Sequence, residues 1–157
     1  MKRNDIVLGG LGIALVFVAT MFIKIPLGPL GYLNLGDGFI LLFANLLSPL
    51  ASFFVGGIGS AMADLAGGYG AFAIYTLFIK GAEGLLVCLI LKKYGYSHKL
   101  LAFLLGTGVM ILGYVFANTM LAHSFAMGLS GIPSNLLQGT LDIVIALLLS
   151  NRIQKQK

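Results

Sequence analysis

Long uncharged apolar runs alternate along this chain with short segments rich in glycine, proline and basic residues. The runs 6–23 and 100–122 contain no charged residue and match the roughly 20 apolar residues that a helix needs to span a bilayer. Glycine and proline clusters mark the breaks between the runs. The pattern predicts one membrane domain over 1–157, with helices at about 6–25, 37–47, 49–65, 72–92, 99–121 and 134–151.

The number of crossings depends on the uncharged stretch 38–63, which contains Ser48-Pro49. The residue before proline disfavours helical geometry, so we expect two helices here and not one. With this break, the basic residues of 2–3, 92–99 and 152–157 all fall on one side of the membrane. Cytoplasmic loops carry an excess of Lys and Arg, so we expect this side to be the cytoplasm. The sequence thus predicts an all-α integral membrane protein, a six-transmembrane-helix bundle with cytoplasmic N- and C-termini that is multi-pass in the cell (plasma) membrane.

Composition supports a membrane protein and argues against a soluble one. Of the 157 residues, 59% are hydrophobic and only 10% are charged, whereas soluble domains carry about a quarter charged residues. The net charge of +5 comes from the clustered basic residues and does not indicate nucleic-acid binding. No small-residue cleavage site follows Met1-Lys2-Arg3, so we expect the first apolar run to be a retained helix.

Charged residues in or beside the apolar runs are candidates for function, because burial of a charge in a membrane is costly. Lys80 and Glu83 are three residues apart and share one helix face, either as a structural ion pair or as ligand contacts. Lys24, Asp37 and Asp64 lie at predicted external helix ends, as anchors, caps or functional groups, and we favour function for Asp64. Asp142 is expected to pair with a neighbouring helix.

Uncharged polar and aromatic residues concentrate toward the external half of the predicted bundle. Each one alone is typical of an interface anchor, but together with Asp64 they predict a cavity for a small, flat, polar heterocycle. These residues are Tyr32, Asn34, Tyr69, Tyr75, Asn118, His123, Asn135 and Gln138.

Small residues at four-residue spacing form stripes on several helices, such as Gly10 and Ala14 on the first helix. Such stripes let helix backbones approach closely in lipid. Two interpretations remain open: internal packing of the bundle, or docking of a partner protein, for which the first helix is the best candidate.

Catalytic patterns are weak in this sequence. Ser60, in Gly57-Ile-Gly-Ser60, resembles a serine nucleophile, but neither histidine falls near it in the predicted topology. The sequence contains no phosphate-binding Gly-x4-Gly-Lys-Ser/Thr loop and no metal-ligand cluster at helical spacing. We therefore expect no enzymatic activity and no cofactor in this chain. The alternatives are a membrane-embedded hydrolase that uses Ser60 and a scaffold subunit without a ligand.

Two segments resemble the substrate-binding S components of energy-coupling factor (ECF) vitamin transporters. They read Lys24-Ile-Pro-Leu-Gly…Tyr32-Leu-Asn-Leu-Gly-Asp37 and Asp64-Leu-Ala-Gly-Gly-Tyr69…Ile79-Lys-Gly-Ala-Glu-Gly84. The resemblance covers essentially the whole chain and is strongest to S components for hydroxymethylpyrimidine or pyridoxine.

The resemblance implies a vitamin site open to the exterior, a transmembrane coupling subunit and two cytosolic ATPases that use ATP. It also implies that the S component topples in the membrane to release its vitamin. Docking on the coupling subunit would use Gly10, Ala14 and Val18, where Val18 replaces the small residue that the family often has. The implied ligand contacts are Tyr32, Asn34, Asp64, Tyr69, Tyr75, Lys80, Glu83, Asn118 and Gln138.

Overall fold

The computed structural model describes residues 3–23, 25–26 and 32–154, and these residues are almost entirely helical. Lys24 lies outside the described residues. The helices are α1 (Arg3–Phe22), α2 (Gly36–Ala44), α3 (Pro49–Ala66), α4 (Gly70–Tyr94), α5 (Lys99–Ala122), α6 (Phe125–Ser130) and α7 (Ile132–Gln154). A 3-10 turn covers Tyr96–His98, and the two-residue strands β1 (Ile25–Pro26) and β2 (Tyr32–Leu33) pair antiparallel between α1 and α2.

Five helical segments in the described part of the chain are long and apolar enough to cross a membrane. They are Asp5–Phe22, Pro49–Ala66, Gly70–Tyr94, Tyr96–Ala122 and Phe125–Arg152. Helix α2 has only nine residues, which give a length of about 14 Å. The structure therefore shows an all-helical membrane fold with five such segments and one short additional helix, where the sequence predicts six crossings.

The short helix α2 lies in the centre of the bundle, and eight of its nine residues are buried. It packs against α1, α3, α4 and α7. One core cluster joins Ile40 and Phe43 of α2 to Val16 and Val55. A second joins Leu41 of α2 to neighbouring helices through Phe103 and other apolar residues. Apart from Asp37, α2 consists of apolar residues and glycine, so other helices must surround it.

The break after α2 brings its end back to the start of α1. Ser48 N donates to Asp5 Oδ1 at 3.3 Å, and the Cys88 thiol donates to the Leu47 carbonyl at 3.3 Å. Lys99 donates to Asn151, which joins the start of α5 to the end of α7. The N-terminal end of α1, the Lys92–Lys99 region and the C-terminal end of α7 thus lie at one end of the bundle, called here the basic end.

Helices α3 and α4 pack closely because glycine lies at their contact. A Cβ on Gly56 would collide with the carbonyl oxygen of Lys80, and one on Gly84 would lie 2.7 Å from the carbonyl oxygen of Ser52. Small residues at these positions let the two backbones approach each other. This contact fixes the part of α4 that carries Lys80 and Glu83.

Candidate functional site

A cavity of about 170 Å³ opens at the end of the bundle opposite the basic end. It lies between the α3–α4 turn, the last turns of α5, the start of α7 and the segment that precedes α2. Its lining residues are Asn34, Asp64, Tyr69, Phe72, Tyr114, Asn118, Gly131, Ser134, Asn135 and Gln138. Among the described lining residues there is one carboxylate, Asp64, and no basic side chain.

The α3–α4 turn positions one wall of the cavity. Gly68 has φ +83°, a left-handed conformation that glycine adopts without strain, and it lets the chain reverse direction. Tyr69 N then donates to the Asp64 carbonyl at 2.8 Å. The turn therefore holds the buried Asp64 carboxylate next to Tyr69 and Phe72 at the start of α4.

The opposite wall is formed where α6 packs on α5. The sequence predicts a loop over 123–133, but this segment contains α6, which is capped by a hydrogen bond from Met127 N to Ser124 Oγ. An added Cβ on Gly131 would lie 2.9 Å from Asn118 Nδ2. The absence of a side chain at Gly131 thus leaves room beside Asn118, where the cavity forms.

A chain of three hydrogen bonds forms the floor of the cavity. Gly36 N donates to Asn34 Oδ1 at 2.9 Å, Asn34 Nδ2 donates to Gln138 Oε1 at 3.1 Å, and Gln138 Nε2 donates to Asp37 Oδ2 at 2.9 Å. Asn34, Gln138 and Asp37 are all buried. This chain connects the segment before α2, the start of α2 and helix α7.

Beneath the floor, Lys80 Nζ lies 2.5 Å from both carboxylate oxygens of Asp37. It also lies 5.3 Å from the centre of the Tyr114 ring, whose hydroxyl is 3.1 Å from Thr76 Oγ1. Tyr114 and Gln138 line the cavity, so one wall and the floor are in direct contact with the Asp37–Lys80 pair. Charges inside a membrane bundle must be paired or hydrogen-bonded, and the Asp37–Lys80 pair with its further hydrogen bonds meets this requirement.

Two more carboxylates lie near this pair. Glu83 Oε2 is 3.8 Å from Lys80 Nζ, so Lys80 contacts Glu83 as its position suggests, but it is much closer to Asp37. Asp142 Oδ1 accepts from Gly38 N at 3.0 Å and thereby binds the N-terminal end of α2, where a negative charge is favourable. The sequence predicts that Asp142 pairs with a neighbouring helix, and in the structure this helix is α2.

The structure brings together five of the nine predicted ligand contacts as cavity lining: Asn34, Asp64, Tyr69, Asn118 and Gln138. Lys80 and Glu83 lie deeper and do not line the cavity. The ring of Tyr75 packs against Phe116, with centroids 6.4 Å apart, outside the lining. The backbone of Tyr32 lies in β2, and its side chain is outside the described part of the structure.

Five lining residues are not among the nine predicted ligand contacts. Four of them carry no signal used in the sequence analysis: Phe72, Tyr114, Gly131 and Ser134. The fifth, Asn135, belongs to the predicted polar group at the external half but not to the predicted contacts. Helical spacing is the signal that identifies two of them. Tyr114 is four residues before Asn118, and Ser134 is four residues before Gln138, so each pair lies on one helix face. His123 is exposed at the end of α5 and is not a lining residue.

The α1 stripe of Gly10, Ala14 and Val18 is exposed along one face of the helix. Among the described residues, no heavy atom of another element lies within 4 Å of an added Cβ on Gly10. By contrast, Gly57 and Gly59 of α3 are buried against neighbouring helices. The small residues of α3 therefore pack inside the bundle, whereas the α1 stripe does not.

Ser60 is buried, and its hydroxyl has no hydrogen-bond partner among the described residues. A serine nucleophile needs a base within hydrogen-bond reach. In the same part of the chain, no group of three or more His, Cys, Asp or Glu side chains is arranged to hold a metal ion.

The described residues thus form an apolar, membrane-type helical bundle with a polar cavity at one end. The chain matches the family described as "ECF-type riboflavin transporter, S component" over residues 1–155. It therefore belongs to this family of ECF S components, and it is a multi-pass membrane transport protein and not an enzyme. A solved S component of a bacterial ECF transporter has the same fold, with a TM-score of 0.80 and 18% identity over 99% of this chain and 98% of that chain.

Two curated relatives are similar over part of the chain. A Pyrococcus woesei protein, "Uncharacterized protein in gap 3'region", is 48% identical over 102 residues, which are 64% of this chain and 68% of that protein. A UPF0397 protein of Streptococcus thermophilus is 34% identical over 97 residues, which are 60% of this chain. The match spans only about half of the streptococcal protein (53%).

Proposed function

We propose that this chain is the high-affinity substrate-binding subunit of an ATP-driven ECF importer and takes hydroxymethylpyrimidine or pyridoxine from the external face. The observation that carries the proposal is the cavity, which combines aromatic rings, amides and one buried carboxylate at the end opposite the basic residues. Small-molecule sites are typically apolar clefts with a few precisely placed polar groups.

The size of the cavity supports a ligand with one ring. A protein cavity of about 150 Å³ accommodates benzene, and the cavity here measures about 170 Å³. A substituted pyrimidine or pyridine is close to this size. The three-ring flavin for which the family is described is much larger, so we place riboflavin second.

The chemistry of the lining supports a heterocycle with polar edges. Tyr69, Phe72 and Tyr114 offer aromatic faces and edges against which a flat ring packs favourably. Asn118 and Gln138 offer amide donors and acceptors, and Asp64 offers a carboxylate. The described lining residues combine the Asp64 carboxylate with hydrogen-bonding amides and include no basic side chain, which favours a ligand that donates hydrogen bonds.

The proposed topology has six crossings, with both termini in the cytoplasm and the cavity facing the exterior of the plasma membrane. The contact of Ser48 with Asp5 supports it, because α2 and its flanking residues run from the cavity end back to the start of α1. Arg3, Lys92, Lys93 and Lys99 then share the basic end, in agreement with the excess of basic residues on cytoplasmic loops.

The proposed partners are a transmembrane coupling subunit and two cytosolic ATPases, which would supply ATP hydrolysis for this chain. The exposed α1 stripe of Gly10, Ala14 and Val18 supports docking on the coupling subunit, because close helix contact in lipid favours small residues. Docking would be followed by toppling of the S component in the membrane and release of the vitamin inside.

The test is thermal unfolding of the purified chain in detergent with hydroxymethylpyrimidine, pyridoxine and riboflavin, each added separately. A ligand that binds only the folded state raises the unfolding temperature, by an amount that grows with the logarithm of the ratio of ligand concentration to dissociation constant. We expect stabilisation by one of the two single-ring compounds. Stabilisation by riboflavin alone would replace the proposed substrate, and no stabilisation by any of the three would favour a scaffold subunit.

A further inference from the structure

Tyr114 lines the cavity, and its side chain contacts two residues of α4 that are not lining residues. The Tyr114 hydroxyl lies 3.1 Å from Thr76 Oγ1, and the centre of the ring lies 5.3 Å from Lys80 Nζ. Thr76 and Lys80 are four residues apart and therefore share one face of α4. Thr76 is buried, so this face of α4 holds the ring from outside the cavity.

The two contacts act on different parts of the tyrosine side chain. Lys80 attracts the ring electrostatically, at a distance typical of a cation–π contact. Thr76 acts on the hydroxyl, at the far end of the side chain, through a hydrogen bond that depends on direction. The bond to Thr76 therefore restrains the side-chain torsions of Tyr114 and fixes where the ring points.

The hydrogen bond of Thr76 joins two helices. The hydroxyl of Thr140, by contrast, donates to the carbonyl group four residues earlier in its own helix. Helix α5 can approach α4 here because Gly113 has no side chain: an added Cβ would lie 2.7 Å from Ile79 Cγ1. The contact of Thr76 with Tyr114 thus links α4 to the part of the cavity wall that α5 provides.

We infer that Thr76 is a positioning residue, which holds the ring of Tyr114 in the cavity wall and thereby keeps the space for the ring of the ligand open. This inference rests on the proposed function and adds to it a residue outside the lining. A tyrosine hydroxyl that loses its partner in a buried place is costly, so a new partner is favoured. Without the Thr76 hydroxyl, the ring turns toward the open cavity, where water is available.

A ligand must then displace the turned ring before it can bind. Its apparent affinity falls in proportion to the fraction of molecules in which the wall is correctly formed. The loss of affinity therefore arises from the position of Tyr114, although Thr76 itself does not touch the ligand.

The experiment measures dissociation constants by calorimetry for hydroxymethylpyrimidine and, separately, for pyridoxine. Thr76→Val keeps the shape of the side chain and removes the hydroxyl. For the compound that the wild type binds, we expect its affinity to fall by about fivefold or more. Thr76→Ser keeps a hydroxyl and should restore most of the affinity. Thr140→Val, the same chemical change on an exposed part of α7, is the control and should keep the wild-type affinity.

A double-mutant cycle with Tyr114→Phe tests whether Thr76 acts through the tyrosine hydroxyl. In the Tyr114→Phe background this hydroxyl is absent, so Thr76→Val should cause no further loss of affinity. Thermal unfolding without ligand establishes which variants are folded. Thr76→Ala, which also lacks the hydroxyl, takes the place of Thr76→Val in both backgrounds if the valine variant does not fold.

The possible outcomes separate this inference from the proposed function. Three results would overturn the inference and leave the proposed function intact: wild-type affinity in Thr76→Val, an equal loss in Thr76→Val and Thr76→Ser, or the same loss with and without the Tyr114 hydroxyl. If the wild type binds neither compound, the proposed function and the inference are both wrong.

Discussion

The carboxylate of Asp37 on α2 lies 2.5 Å from the ammonium group of Lys80 on α4, inside a bundle whose outer surface is apolar. The two residues are 43 positions apart in the chain. Their contact holds the start of the short central helix against a long helix, directly below the cavity. Asp37 also accepts a hydrogen bond from Gln138, and Lys80 contacts the Tyr114 ring. The pair therefore links the stability of the fold to the shape of the site.

Lys80→Met should strongly destabilise the chain. The change leaves Asp37 buried without its cation, and loss of one partner of a buried pair costs about 3–5 kcal/mol. Thermal unfolding in detergent measures the effect. The double variant Asp37→Asn/Lys80→Met should recover a large part of the loss, and Lys93→Met, at the exposed basic end, should change little. Equal unfolding temperatures for the Lys80 and Lys93 variants would contradict the importance of the pair.

Gly56→Ala should also destabilise the chain, because the new methyl group would collide with the Lys80 carbonyl oxygen at the α3–α4 contact. Overpacking of this kind typically costs about 1–3 kcal/mol. The matched control is Gly108→Ala on α5, where an added Cβ has no heavy atom of another described element within 4 Å. The control should be neutral or slightly stabilising, because alanine is the better helix former. If both variants unfold alike, the close approach of α3 and α4 is not as described.

Ala14→Trp on the α1 stripe should abolish co-purification with the coupling subunit and leave ligand affinity unchanged. The reason is that a large side chain prevents close contact of helix backbones in lipid. Leu112→Trp, on an exposed face of α5, is the control and should not affect co-purification. Loss of ligand binding in Ala14→Trp would mean that α1 only packs against its own bundle.

Labelling of single cysteines tests the topology. Cys88 is the one cysteine in the sequence, so Cys88→Ser gives a background without thiols. In this background, Ala71→Cys near the cavity should react with a membrane-impermeant maleimide on intact cells. Ser97→Cys, in the turn before α5, should react only after the membrane is opened. Both positions are exposed in the structure. Reaction of both cysteines from the same side would exclude the six-crossing topology.

The sequence predicts much of the fold because membrane helices depend on local features. Long apolar runs correspond to the five membrane-capable segments, and Ser48-Pro49 does separate α2 from α3. The sequence places the end of the second helix at residue 47, but α2 ends at Ala44. It also misses α6, because six residues are too few to show a helical period.

The site is predicted less completely because its central contacts join distant parts of the chain. The sequence around Asp37 indicates only that this residue begins a helix. The neighbouring residues do not indicate that Lys80 and Gln138 are its partners. Conversely, the spacing of Lys80 and Glu83 emphasises the weaker of the two contacts of Lys80. Asp64 and Asn118 are predictable because polar residues at the ends of apolar helices stand out in the sequence.

Calorimetric titration of the purified chain with hydroxymethylpyrimidine and, separately, with pyridoxine tests most directly whether the cavity is the vitamin site. The comparison variant is Gly131→Leu, whose side chain would enter the space beside Asn118. We predict saturable binding by the wild type in the nanomolar to micromolar range and a loss of at least about tenfold in affinity in the variant, because the filled cavity excludes the ring. Absence of binding of both compounds by the wild type, or equal affinity in a folded Gly131→Leu variant, would contradict the assignment.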